Sequence, residues 1–77
     1  MKSFIDEINR ERDIVKGTYG EDTEICKNIL EGLRLAEIIY NQTAYFSTNI
    51  FKEWLEDYQY KLNTVEVDKL KEIFNKI

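Results

Sequence analysis

Apolar side chains recur at helical spacing in four stretches of this chain. In the first, Phe4, Ile8 and Val15 share one face, with Ile5 beside them. Ser3 and Asp6 have capping-box spacing, with Asp in place of Glu. The pattern predicts a helix over 4–16, closed at Gly17, with Gly17-Thr18-Tyr19-Gly20 as a tight connection. In the second stretch Ile25, Ile29, Leu33, Ala36 and Tyr40 centre one face, and Cys26, Leu30, Gly32 and Ile39 widen it. A helix over 22–41 with neighbours on two sides follows, and Glu21, Asp22 and Glu24 suit its positive N-terminal dipole. Gly32 and Ala36 are one turn apart and would admit a neighbouring helix closely. A mid-helix Gly otherwise costs up to about 1 kcal/mol against Ala.

Residues 42–49 carry no charge and interrupt the pattern. Ser47, Thr48 and Asn49 are all good N-caps, so a third helix is expected to begin there. Its buried stripe is Phe51, Trp54, Leu55, Tyr58 and Leu62. Asn63 and Thr64 stop that helix and cap the next, and Asn63 to Glu66 has capping-box spacing. Val67, Leu70, Ile73, Phe74 and Ile77 form the fourth stripe, with Lys69, Lys71 and Lys76 late in it. Only Val65-Glu66-Val67 alternates with period two, which is too short for a strand. The expected fold is all-α: one domain over 1–77, a compact antiparallel bundle of three to four helices.

Composition narrows the function. The chain has 77 residues, 43% hydrophobic and 34% charged, which suits one small folded domain. Its net charge of -4 has the wrong sign for a general nucleic-acid binder, which needs basic surface to displace counterions. No His is present, so Ser-His and Cys-His nucleophile pairs cannot form within the chain. Cys26 is the single cysteine, so neither an internal disulfide nor a cysteine-rich zinc site is possible. The charged stretch Met1 to Val15 has no signal-peptide core, and no apolar run reaches the length of a membrane span. A cytoplasmic, non-enzymatic protein without a cofactor or metal is expected, with no membrane partner.

Five features carry candidate function. Seven of the ten aromatics lie between Tyr40 and Tyr60. Phe51, Trp54 and Tyr58 read as core, whereas Tyr45 and Phe46 sit in a connection and divide evenly between core and interface. Glu53, Glu56, Asp57 and Tyr60 are spaced i, i+3, i+4 and i+7, opposite the apolar stripe. This is either solvated surface, partly neutralised by Lys61, or an acidic face for a basic partner. Leu35 and Ile38 fall outside the main apolar arc of the second helix, and either meet a fourth helix or form a self-association patch of a homodimer. Arg12 falls within the apolar stripe of the first helix, where it either snorkels or pairs with a carboxylate. Gly17-x-x-Gly20 resembles the phosphate-clamping loop of the KH module only as a four-residue string. Strands and basic flanks are missing, and Glu21 and Asp22 would repel phosphate.

In size, charge and helical build the chain is similar to small acidic proteins that block a partner by occupying its surface. Bacteriocin immunity proteins, antitoxins and phage-encoded inhibitors of host defence are of this kind. That resemblance rests on no motif and carries over no residue. It implies stoichiometric contact with a protein target, a basic or nucleic-acid-handling one; the residues expected to make that contact, from the faces described above, are Glu53, Glu56, Asp57 and Tyr60, with Tyr45 and Phe46 as anchors. The alternatives are a dimeric helix-turn-helix regulator, which the acidic third helix disfavours, and a self-assembling structural subunit.

Overall fold

A computed structural model describes residues 3–58 and 62–76. Tyr60, Lys61 and Ile77, and the side chain of Tyr58, lie outside the described residues. The described chain is all-α: α1 (Phe4–Tyr19), α2 (Glu24–Thr43), α3 (Thr48–Tyr58) and α4 (Thr64–Lys76). The Cα atoms span 31 × 31 × 17 Å. No helix among the described residues is long and apolar enough to cross a membrane.

Local chemistry sets each boundary. Ser3 Oγ accepts from the Asp6 N–H at 3.1 Å, the forward half of the expected capping box. α1 runs through Gly17 and stops at Gly20, not at Gly17 as expected. Gly20 has a φ of 85°, which a side chain rarely tolerates, and its N–H reaches Lys16 O at 3.0 Å. Running on to Tyr19 also lets that ring pack against the core. Thr23 then caps α2, accepting from Cys26 N–H at 3.3 Å while its own hydroxyl donates to Gly20 O at 2.9 Å. Ser47 Oγ accepts from Ile50 N–H at 3.2 Å and opens α3. The Asn63–Glu66 capping box is reciprocal: Asn63 Oδ1 accepts from Glu66 N–H at 2.8 Å, and Glu66 Oε1 accepts from Asn63 N–H at 2.9 Å. Leu62 lies in the connection before α4 and still packs against the core.

α2 is the axis of the fold, and each of the other helices packs on it. Its buried residues Cys26, Ile29, Gly32, Leu33, Leu35, Ala36 and Ile39 leave it only a narrow solvent face. α1 runs opposite to α2: Phe4 stacks on Tyr40 with centroids 4.6 Å apart, and Arg12, further along α1, pairs with the earlier Glu37. α4 runs along α2 in the same direction, since Asn28 meets Glu66 and one turn later Gly32 meets Leu70. Helices two apart run parallel in an alternating antiparallel bundle, so this is the expected arrangement. α3 follows the end of α2, and α4 begins beside Asn28 near α2's start, so α4 sets off alongside α2. Near the end of α2, Phe46, Phe51 and Phe74 join Phe4 and Tyr40 in an aromatic cluster, with Phe46 4.6 Å from Phe74 and Phe51 5.0 Å from it.

The close approach expected at Gly32 is present. A Cβ there would lie 2.9 Å from Leu70 Cδ2, 3.2 Å from Cγ, and closer still to Cδ1. Arg12 takes the carboxylate option. Its guanidinium donates to Glu37, and also to Asn9 Oδ1 at 2.6 Å. Leu35 is 1% exposed and belongs to the core, so the patch expected of Leu35 and Ile38 is not a surface of the folded chain. With helices on more than one side of α2, the apolar arc that faces inward is wider than one neighbour would need, and Leu35 falls within it. Ile38 is half-buried beside it.

Candidate functional site

α3 separates its two faces cleanly. Phe51 is buried, and Ile50, Trp54 and Leu55 are half-buried against the core. Glu53, Glu56 and Asp57 are exposed on the other side, brought together by the i, i+3, i+4 spacing. Among the described residues no cation forms an ion pair with any of these three. Glu7, Glu11, Glu21, Glu31, Glu37 and Glu72 each have one, and among the described residues Asp6, Asp13, Asp22, Glu24 and Asp68 have none.

α3 differs from the other helices in its first turn. α1, α2 and α4 carry acidic residues in the first turn: Asp6 and Glu7, Glu24, and Glu66. There they meet the positive end of the helix dipole. α3 has no acidic residue in its first turn and no basic residue in its last. Glu56 and Asp57 fall in the last described turn, where each is unfavourable by a few tenths of a kcal/mol, and Glu53 stands mid-helix. Glu53 and Asp57 also repel as like charges one turn apart, a further cost of about 0.2–0.5 kcal/mol.

Tyr45 and Phe46 part company at the entrance to α3. Phe46 turns inward, with its ring within 5.3 Å of Phe4 and 4.6 Å of Phe74, so it works as core and not as a free anchor. Tyr45 is 60% exposed. Its backbone is held on both sides by Thr43. The Thr43 hydroxyl accepts from Tyr45 N–H at 3.2 Å and sits 2.6 Å from Tyr45 O and 2.8 Å from Ile39 O, both within donating distance. Ala44 between them has a φ of 56°, a left-handed conformation that costs a non-glycine residue about 1 kcal/mol. The Thr43–Tyr45 spacing is a legible Ser/Thr turn signal. Nothing in the sequence marks Ala44 for that conformation. By the helical rise, Asp57 lies about 13 Å along α3 from its first residue, so Tyr45 and the carboxylates bracket one helix length.

Among the described residues there is no enclosed pocket, and no group of three or more side chains that could hold a metal ion. No family model matches the chain, and neither a curated protein nor a solved structure matches it.

Proposed function

We propose that this chain is a small non-enzymatic binding protein that acts by stoichiometric contact, inhibiting a basic or nucleic-acid-handling protein partner. The observation that carries this reading is the placement of Glu53, Glu56 and Asp57. They are exposed and have no described ion-pair partner, and Glu56 and Asp57 stand in the last turn of α3, where the helix dipole opposes them. α1, α2 and α4 each place an acid in the first turn and α3 places none there, so helix-dipole matching gives no reason for the acids of α3. A cationic partner surface gives one: the same charges would speed encounter and select against acidic competitors. Tyr45, held outward at the entrance of α3, supplies an amphipathic ring of the kind that anchors protein interfaces.

The test is affinity capture from a lysate of the chain's native cells, comparing the parent with the Glu53→Lys, Asp57→Lys double variant. The variant removes the dipole-opposed Asp57 but leaves positions 53 and 57 like-charged, so its helical circular dichroism and its urea midpoint should stay close to the parent's. The parent should retain one protein in stoichiometric amount, and the folded variant should lose it. Equal retention by both would make this face ordinary solvated surface and end the proposal. Recovery of the chain alone would instead point to self-assembly.

A further inference from the structure

No further inference is drawn: the strongest candidate, the buried Glu11 carboxylate on the face of α1 that packs against α2, borders no cavity among the described residues and nothing beside it points to a ligand.

Discussion

The two long seams of α2 hold the same two kinds of residue to opposite effect. Each packing partner brings a buried glutamate, and one helix of each seam carries a glycine: Gly32 in the middle of α2 and Gly17 in the last turn of α1. On the α4 side both are needed. Glu66 is 2% exposed, yet its carboxylate accepts from Asn63 N–H and from Asn28 Nδ2 at 2.7 Å. Gly32 makes room for Leu70. On the α1 side neither is. Glu11 is 1% exposed and its Oε1 has no hydrogen-bond partner; the nearest cation, Arg10, stands 3.7 Å away. Gly17 lies inside α1 with nothing within 4 Å of where a Cβ would stand. The α2–α4 seam is thus specified by local chemistry and packing together, whereas the α1–α2 seam is held by Ile8, Val15 and the Arg12–Glu37 pair despite its glutamate and glycine. Burial of a charge is not evidence of stabilisation; the count of donors around it decides.

The contrast breaks most sharply at Gly32. Gly32→Val should destabilise by about 3 kcal/mol, because Leu70 is fully buried and has no free space to move into. For a chain of this length that is a large part of a total of roughly 4–12 kcal/mol. Gly32→Ala should lose less, since it regains up to about 1 kcal/mol of helix propensity. Urea midpoints measure both, and a Gly32→Ala protein more stable than its parent would mean that α4 does not approach α2 this closely. Trimming the neighbour checks the cause. In a Leu70→Ala background the added Gly32→Ala methyl should be tolerated, giving a non-additive double-mutant cycle.

Glu66→Ala comes next, with an expected loss of about 2 kcal/mol. It removes the return half of the capping box, worth about 1 kcal/mol, and leaves the half-buried Asn28 amide without its acceptor. Asn28→Ala should lose less, because Glu66 would keep its bond from Asn63 N–H. Equal losses for the two would place the whole effect in the contact between α2 and α4 and none in the cap.

These residues also mark how far the sequence could be read. The Asn63–Glu66 box was legible because its partners are three positions apart and the signal is local. The burial of Glu66 was not, because it depends on Asn28, a residue 38 positions away on another helix. Gly32 was legible as a close approach, since a small residue in the middle of an apolar arc has few other uses. Gly17 and Gly20 look alike in sequence, and only the backbone shows that Gly20 takes the positive φ while Gly17 stays helical. Leu35 was misplaced for a related reason: the width of the buried arc depends on how many helices surround α2, which tertiary order decides. On the candidate site, the exposure of Glu53, Glu56 and Asp57 followed directly from the period of α3. The inward turn of Phe46 and the outward turn of Tyr45 did not, because they depend on the left-handed Ala44.

On the α1 side the expected sign reverses. Glu11→Met keeps the approximate volume and removes a buried carboxylate that lacks a donor on Oε1. Arg10 retains Glu7, whose Oε2 accepts from its Nε at 3.3 Å. The variant should be more stable than the parent by about 1–2 kcal/mol, within the range seen when buried ionic groups are replaced by apolar ones. Glu11→Gln should gain less, since its amide still needs partners. A loss of stability in Glu11→Met would show that the Glu11–Arg10 ion pair outweighs the missing hydrogen bond, and the two seams would then be alike.

The smallest effect is expected at Gly17, and it isolates the backbone from everything else. Gly17 is exposed, has a helical backbone, and meets nothing where a Cβ would be added. Gly17→Ala therefore changes no packing contact. It removes conformational freedom from the unfolded chain and supplies the better helix former, for a gain of up to about 1 kcal/mol. Gly20→Ala, three residues on, should do the opposite, because its φ of 85° is strained for any side chain. Thermal melts of the two variants side by side should move in opposite directions from the parent. A fall in melting temperature for Gly17→Ala would mean that α1 needs flexibility at that turn, and the helix would then end where its first glycine stands.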